Sequence, residues 1–411
     1  MHVPLKKEKN RKMDKKKQIR NIILGNRKNI AFVIGNGINQ RFFKGQIPLW
    51  NELIKSLSGS FLPNGQNAPN DISFTELFDL IELSAVSNHG PIRELIEYLK
   101  DNNIGKYKNL FDIYTVDFEK ILQIANAPNN VNNAVNHVLG SKSLESYKKT
   151  HSEYIKGCRK WCMSNRDDSE SLSDGQCVER FMEMASNPIK IKMMKNTVKR
   201  TVARTFAPEL NNSDLTKLMI FFQSLDVPVL TTNYDTLMSQ SLHLFKHKKI
   251  GTSFTDFYPW NIYFSDKELE HPASGFGIWH INGMVDYPRS IKLGVSDYMG
   301  NVERARKMLL SHDFNEFFNG MNQTNWSGYY TWLHAFFNKD LFFFGLKLNR
   351  DEVFLRWLLI QRAKYSQMYN IKRKGWFVDR NISKETMFFL EQLGFEVVNI
   401  RKYDTLYNAL N

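Results

Sequence analysis

Residues 31–43, AFVIGNGINQRFF, decide the fold that this sequence predicts. The apolar run ends abruptly at Gly35-Asn36-Gly37, and the chain then continues with the pattern of a helix. A buried strand, a tight turn and a helix in this order are typical of a phosphate-binding turn. The match is incomplete, because Gln40 stands where G-x-G-x-x-G has its third glycine and no G-K-[ST] follows. Two interpretations therefore stay open: a nucleotide site, or a tight turn that binds nothing.

The rest of the chain supplies further short apolar runs, most of them separated by segments with helical spacing. The six predicted strands are residues 29–34, 227–235, 276–283, 340–348, 375–380 and 395–400. Continuous apolar strands that alternate with helices are typical of a parallel sheet covered on both faces. We therefore predict an α/β fold, with a Rossmann-like parallel sheet that carries helices on both faces. Ligands of such sheets bind beyond the carboxyl ends of the strands.

The long segment between the first two predicted strands has a different pattern. Its apolar residues recur three and four positions apart, and strand-like alternation is missing. We interpret this segment as a large α-helical insertion. The predicted organisation is a basic, disordered tail at residues 1–28, a Rossmann-like core formed by residues 29–60 and 220–411, and the helical insertion at residues 61–219.

The net charge of +14 is unevenly distributed, since residues 1–20 hold nine Lys or Arg against two acidic residues. Such a tail can make weak contact with nucleic acid, and it can equally be a solvated arm. No stretch is apolar for long enough to span a membrane, so no membrane association is expected. The three cysteines, Cys158, Cys162 and Cys177, indicate a reducing cytoplasm rather than a disulfide framework. They contain no C-x-x-C pair, and no metal site is expected.

The block TTNYDTL, residues 231–237, ends the second predicted strand with polar residues. Asn233 and Asp235 lie two positions apart, so both side chains can point from one face into the crevice beyond the sheet. Short polar side chains of this kind suit the recognition of an amide or a ribose hydroxyl. The alternative interpretation is that one of them caps the following helix.

Two later blocks carry further candidates. In IWHING, His280 and Asn282 lie two positions apart on one face of a strand, where His280 is either a general base or a buried core residue. In FFFGLKLNRDEVF, Gly345 ends an apolar strand, and Asp351 either reaches a ribose or caps the next helix.

Taken together and in this order, these four blocks resemble the sirtuin-like domain of bacterial anti-phage defence proteins. That domain has a Gly-x-Gly turn after its first strand, a T-x-N-x-D block, a His-bearing strand followed by a P-x-S-I-x-L-like segment, and an apolar strand that ends in Gly before an Asp. The matching positions here are 35–39, 231–235, 280 with 288–293, and 345 with 351. The resemblance runs from Asn29 nearly to the C-terminus.

The resemblance implies that NAD+ is the substrate and that no metal is needed. Three catalytic residues follow from it: Asn233 would orient the acceptor water, Asp235 would hold the carboxamide, and His280 would act as base on the ribose hydroxyls. The Gly-rich turn would hold the pyrophosphate, and the strand ending at Gly345 would border the adenosine ribose. The implied cofactor-binding residues are Gly35, Asn36, Gly37, Asn39, Thr232, Asn282, Gly345 and Asp351.

Two departures from the family bear on the reaction. Deacylating sirtuins carry a four-cysteine zinc module, which three scattered cysteines cannot form, so water is favoured over acyl-lysine as the acceptor. The family's base stands in a His-Gly pair, whereas here Asn282 precedes Gly283 and His280 lies two positions earlier. Either His280 acts instead, or the site uses an altered base, or the protein binds NAD+ without cleaving it.

The leading hypothesis is an NAD+ glycohydrolase that releases nicotinamide and ADP-ribose and acts as a cytoplasmic abortive-infection effector against phage. The alternatives are a non-catalytic module that binds NAD+ or an ADP-ribose derivative in a defence complex, an NAD-dependent protein deacylase, and a nucleic-acid-binding protein. Because the resemblance leaves no separate sensor domain, we expect activation by a protein partner or phage-derived trigger in trans, or by assembly into a homo-oligomer.

Overall fold

The structure is a computed structural model that describes residues 14–48, 50–61, 72–87, 194–207, 210–249, 259–310 and 326–410, with a few single positions between 156 and 191. The first 13 residues of the basic tail and most of the predicted insertion, including Cys158 and Cys162, lie outside the described residues. The chain divides into two compact units, residues Met1–Leu80 with Asn196–Asn411 and residues Ile81–Lys195. The first unit contains every strand described below and the candidate site, and the second falls within the segment predicted as an insertion.

The strands of the first unit form one eight-stranded sheet in the described part of the chain. They are β1 (Ile30–Ile34), β2 (Pro228–Thr231), β3 (Phe245–Lys248), β4 (Ile262–Ser265), β5 (Gly277–His280), β6 (Asp340–Phe344), β7 (Gly375–Asp379) and β8 (Phe395–Asn399). Their order is β3-β4-β5-β2-β1-β6-β7-β8. The strands from β5 to β8 in this order pair in parallel, with Thr231 of β2 opposite His280 of β5 and Ile34 of β1 opposite Phe344 of β6.

The predicted α/β fold is confirmed, with one correction. The sheet is mixed rather than purely parallel, because β3 and β4 pair antiparallel at one edge. Sequence patterns did not reveal these two strands, since each is four residues long and β3 is mostly exposed and carries charged side chains.

Helices surround the sheet. Their bounds are α1 (Lys15–Gly25), α2 (Gly37–Phe42), α3 (Trp50–Phe61), α4 (Phe74–Ser87), α5 (Ser213–Leu225), α6 (Leu237–Gln240), α7 (Val295–Leu309), α8 (Trp332–Asn338), α9 (Val353–Met368), α10 (Lys384–Gln392) and α11 (Tyr403–Tyr407). Residues 194–205 are also helical. None of the helices in the described part of the chain is both long enough and apolar enough to cross a membrane.

Both faces of the central strands are buried, which explains why their sequences are continuously apolar rather than alternating. Phe32 of β1 packs against Phe222 of α5, with ring centroids 4.4 Å apart. Ala31 and Val33, whose side chains point to the opposite face, belong to a hydrophobic cluster with residues of α7, α8 and α9. The helices therefore cover both sides of β1, as the sequence predicts.

The predicted disordered tail at residues 1–28 needs correction in its second half. Residues Lys15–Gly25 form α1, which begins after Asp14, whose carboxylate accepts a hydrogen bond from the backbone nitrogen of Lys16 at 3.0 Å. Ile19 and Ile23 lie four positions apart on one face of this helix and are fully buried. Because charged residues surround these two isoleucines in sequence, the charge pattern concealed an amphipathic helix.

The glycines of the opening stretch are required by packing within the protein. The backbone nitrogen of Gly37 donates to the carbonyl oxygen of Gly345 at 2.6 Å. A Cβ on Gly37 would stand 2.6 Å from the Cα of Gly345, and a Cβ on Gly35 would stand 2.7 Å from the Gly345 oxygen. Gly345 itself has a φ of +71°, a backbone conformation that residues other than glycine rarely adopt. The turn after β1 is thus tight because the turn after β6 lies directly against it.

Candidate functional site

A large cleft opens at the carboxyl ends of the parallel strands, where the chain order reverses between β1 and β6. Its volume is about 1320 Å³, which exceeds the roughly 300–1,000 Å³ of most small-molecule sites and suits an extended dinucleotide. The polar residues that line it include Asn36, Thr232, Asn233, Asp235, Asn282, Asn349, Asp351, Glu352 and Asp379. The basic ones are Arg41, Lys44, Lys347, Arg350 and Arg380. The crevice predicted from the strand pattern is therefore present.

The loops after β1 and β2 are joined by a buried hydrogen bond. The side-chain nitrogen of Asn39, in α2, donates to Oδ2 of Asp235 at 2.6 Å. Oδ1 of the same carboxylate accepts from the backbone nitrogen of Leu237 at 3.1 Å. Asn39 does not reach the wall of the cleft, whereas Asp235 does. Asn39 therefore acts on the site by holding Asp235, and Asp235 also accepts from the first backbone nitrogen of the short helix α6.

Burial raises the pKa of Asp235, and the hydrogen bonds from Asn39 and Leu237 oppose that rise. The side chain is 1% exposed. A carboxyl group in this environment can hold a proton at a higher pH than a solvated one, and it can then both donate and accept hydrogen bonds. Such a group can recognise both ends of a carboxamide.

Asn233 has the least satisfied side chain on the cleft wall. It is 5% exposed, and neither its amide nitrogen nor its amide oxygen has a hydrogen-bond partner. Its backbone is fixed, because its nitrogen donates to Oγ1 of Thr231 at 3.1 Å and that hydroxyl donates to the oxygen of Ile34 at 3.1 Å. Buried polar atoms without partners are costly, so a fixed and unsatisfied amide on a cleft wall is a site for a ligand or an ordered water.

The structure places His280 beneath the cleft wall. The side chain is 1% exposed and is not among the residues that line the cleft. Its Nδ1 lies 2.8 Å from the backbone oxygen of Asn233, while Nε2 has no hydrogen-bond partner. Burial lowers its pKa, and the contact with Asn233 opposes that effect. The expected role of His280 as base on the ribose hydroxyls does not fit this position, because the ring supports the backbone of Asn233 from behind.

Asn282, by contrast, lines the cleft. Its backbone oxygen accepts from the nitrogen of Lys292 at 3.0 Å. The following Gly283 has a φ of +96°, and a Cβ there would collide with the backbone of Ser290 and Ile291. Glycine is thus required to fold residues 283–290 back beneath Asn282. Asn233 and Asn282 each stand two residues beyond the Thr231–His280 pair of neighbouring strands, so they occupy equivalent places on the wall.

Glu352 is a cleft residue that the sequence analysis did not single out. It stands at the N-cap of α9 without capping it, so the alternative in which Asp351 caps this helix is not what the structure shows. Its carboxylate interacts with the side chain of Asn282, and Oε2 is buried without a hydrogen-bond partner. Burial raises the pKa of Glu352 from 4.5 to about 7. The sequence offered little indication of a site residue here, because a Glu at the start of a predicted helix, as in NRDEVF, is common in ordinary helices.

A second buried polar group supports this wall. The hydroxyl of Tyr234 donates to the backbone oxygen of Lys292 at 2.6 Å and also contacts Tyr298 of α7. Next to Tyr298, Lys199 and Asp297 form an ion pair of 2.7 Å in which both side chains are more than nine-tenths buried. No group of three or more His, Cys, Asp or Glu suited to a metal occurs among the residues that the structure describes.

The comparison with protein families identifies the same region. Residues 227–398 match the family model of the SIR2-like domain. The match supports a sirtuin-like family and an NAD-related site. It runs from β2 into β8 and includes Asn233, Asp235, Asn282 and Glu352, whereas β1 and its glycine turn lie outside it. No curated protein matches the chain.

The SIR2-like match agrees with the geometry of the site. It covers less than half of the chain, yet it contains four of the strands whose carboxyl ends border the cleft or support its wall, which are β2, β5, β6 and β7. The SIR2-like region is compatible with an NAD-utilising enzyme. Of the predicted site residues, the cleft wall holds Asn36, Gly37, Thr232, Asn233, Asp235, Asn282, Gly345 and Asp351. Gly35, Asn39 and His280 lie behind that wall.

Proposed function

We propose that this protein is an NAD+ glycohydrolase that cleaves the nicotinamide N-glycosidic bond and releases nicotinamide and ADP-ribose. The observation that carries the proposal is the side chain of Asn233, which is fixed, buried and unsatisfied on the wall of a dinucleotide-sized cleft. The match of this region to the SIR2-like domain supports NAD+ as the substrate.

The residues of the wall fit the parts of NAD+ in a consistent order. Asn36 and Gly37 border the pyrophosphate, and Arg41 and Lys44 on the same wall supply positive charge. Asp235 holds the carboxamide, and its raised pKa allows it to donate to the carbonyl as well as accept from the amide. Asn233 orients the water that attacks the ribose carbon. Enzymatic rate enhancement then comes from placing this water and from stabilising positive charge on the ribose.

Release of nicotinamide tests this proposal directly. Purified protein is incubated with NAD+, with and without lysate from phage-infected cells as a source of the trigger, and nicotinamide is measured. Asn233→Ala is expected to abolish release. The matched control is Asn301→Ala, because Asn301 of α7 is equally buried and also has an unpartnered amide nitrogen, yet it does not line the cleft. Equal release by wild type and Asn233→Ala would contradict the proposal.

We further propose that the activity serves abortive infection, because the order of the four sequence blocks resembles defence domains of that kind. In this role the protein stays inactive until a partner or phage product binds it, or until copies assemble. Cellular NAD+ is then expected to fall after infection in cells with the wild-type protein and to persist in cells with Asn233→Ala. Unchanged NAD+ levels in infected wild-type cells would contradict the defence role.

One observation favours a second function. Asn282 stands where the sirtuin-like family carries the catalytic His of a His-Gly pair, and an amide cannot take up a proton as an imidazole does. On this alternative the cleft binds NAD+ or an ADP-ribose derivative without cleaving it. Calorimetric binding of NAD+ with no nicotinamide release under any condition would support it.

A further inference from the structure

Glu352 is a carboxylate of the cleft with one buried oxygen that lacks a hydrogen-bond partner. Its side chain is partly exposed on the cleft wall, yet its Oε2 atom is buried and makes no hydrogen bond. The carboxylate interacts with the side chain of Asn282. The unpartnered Oε2 is therefore free to accept a proton or a hydrogen bond from a molecule in the cleft.

Strand register brings Glu352 close to the proposed reaction centre. Asn282 and Asn233 stand at equivalent positions beyond neighbouring strands, each two residues past the Thr231–His280 pair. Glu352 interacts with Asn282, and Asn233 is the residue that we propose to orient the attacking water. A water held by Asn233 thus lies on the part of the wall to which the Glu352 carboxylate belongs.

The surroundings of Glu352 disfavour its charged form. Asp351 beside it and Tyr234 and Tyr298 across the wall are the titratable groups with which it interacts. Behind Tyr298 the charges of Lys199 and Asp297 are paired with each other, and Lys347 and Arg350 lie on the loop before Glu352 along the same cleft. The N-terminus of α9 favours a carboxylate, but burial acts more strongly and raises the pKa of Glu352 to about 7.

We propose that Glu352 is the general base of the cleft and that it takes the place of the histidine that the family's His-Gly pair would supply. This inference rests on the proposed NAD+ glycohydrolase function. The bond between the ribose carbon and the nicotinamide nitrogen breaks, and its electron pair stays on that nitrogen and neutralises its positive charge. The water oxygen bonds to the ribose carbon, and one water proton passes to the Glu352 carboxylate, which later releases it to solvent. The products are nicotinamide, ADP-ribose and one proton.

The pH profile of kcat/KM separates this role from a structural one. A general base must be ionised, so wild-type activity is expected to rise with pH through about 7. Glu352→Gln keeps the shape and the hydrogen-bonding capacity of the side chain but cannot accept the proton. We expect it to lose roughly 10²–10⁴-fold in kcat/KM and to lose the pH dependence. Glu385→Gln, on the outer helix α10, is the matched control and is expected to retain both.

Chemical rescue provides the second readout. Glu352→Ala opens a space in which formate can supply a carboxylate, so added formate is expected to restore nicotinamide release to Glu352→Ala but not to Asn233→Ala. ADP-ribose binding, measured by calorimetry, confirms that each variant still forms the cleft. Activity of Glu352→Gln within threefold of wild type, or an unchanged pH profile, would overturn the inference. All variants are assayed with the infected-cell lysate, and wild-type protein that stays inactive in its presence would instead overturn the proposed function.

Discussion

Asn39 and Asp235 are 196 positions apart in the chain and share a buried hydrogen bond of 2.6 Å at the base of the cleft. Asp235 is also bonded to the backbone of Leu237. The two hydrogen bonds together fix the position of the Asp235 carboxyl relative to Asn39. The bond joins the turn after β1, which lies outside the SIR2-like match, to the strand with which that match begins. The turn after β1 and the matched region therefore contribute to one cleft.

Removing this bond is expected to weaken both the fold and the site. Asn39→Ala leaves one oxygen of the buried Asp235 carboxyl without its partner, and an unsatisfied buried polar group costs about 1–3 kcal/mol. We expect the free energy of unfolding to fall by about this amount and ADP-ribose affinity to fall at least tenfold. Denaturant titration and calorimetry measure the two effects. A double-mutant cycle with Asp235→Asn showing strictly additive losses would mean that the two residues are not coupled.

The glycine turn gives a prediction about packing. Gly37→Ala would bring a methyl group against the backbone of Gly345, so one of the two backbone segments would have to shift. We expect a loss of about 1–3 kcal/mol in stability, as for other overpacked sites. Gly300→Ala in the middle of α7 is the control, because nothing lies within 4 Å of its new Cβ. That change is expected to stabilise the helix by up to about 1 kcal/mol. Thermal unfolding of the two variants distinguishes them, and similar melting temperatures would contradict the packing argument.

The central fold could be predicted from the sequence because its strands are unusually apolar. β1 and β6 are buried on both faces, so nearly every residue in them is apolar. A short continuous apolar run of this kind is typical of a buried strand in a parallel sheet. β3 carries two lysines and a histidine over four residues, and tertiary pairing rather than propensity makes it a strand. α1 was missed for a related reason, since only two of its residues face the core.

The site could be predicted only in part. Asn233 and Asp235 follow an obvious strand, and their spacing of two places them on one wall, which the structure bears out in their shared lining of the cleft. The same spacing argument fails for His280, because His280 lies within β5 whereas Asn282 lies beyond its end. Glu352 escaped notice because its raised pKa arises from burial in a cleft that includes residues as distant in sequence as Asn282, 70 positions away, whose side chain opposes the rise. Burial across such a distance leaves no local pattern.

The buried ion pair of Lys199 and Asp297 predicts an asymmetry between single and double substitutions. Asp297→Asn leaves the Lys199 ammonium buried without its carboxylate, which in comparable cases costs about 3–5 kcal/mol. Lys199→Met with Asp297→Leu removes both charges and is expected to cost less than either single change. Urea unfolding of the three variants at neutral pH tests this. A double variant as unstable as the sum of the singles would show that the charges do not act as a pair.

The raised pKa of Glu352 predicts a dependence of stability on pH that is separate from its proposed role in catalysis. Between its ordinary value of 4.5 and the folded value of about 7, the folded state keeps a proton that the unfolded state releases. The contribution of this group to the unfolding free energy therefore falls as pH rises through that window. Glu352→Gln is expected to remove the decrease and to melt at a higher temperature than wild type at pH 8. Parallel melting curves for both proteins from pH 5 to pH 8 would contradict the assigned burial of this carboxyl.

His280 is expected to behave in the opposite way, and this separates its structural role from a catalytic one. Burial lowers its pKa below the ordinary value of 6.5, so the unfolded state binds a proton that the folded state resists. Stability is then lost as pH falls below about 6.5, at up to about 1.4 kcal/mol per pH unit for one histidine. His280→Gln still offers a hydrogen-bond donor to the backbone oxygen of Asn233. Because glutamine does not titrate, we expect this variant to lose less unfolding free energy than wild type as pH falls. If Glu352 is the base, the same variant keeps the pH profile of NAD+ cleavage, and turnover falls less than tenfold because only the support of Asn233 has changed. Loss of the kinetic pH dependence in His280→Gln, with retention in Glu352→Gln, would instead assign the proton transfer to the imidazole.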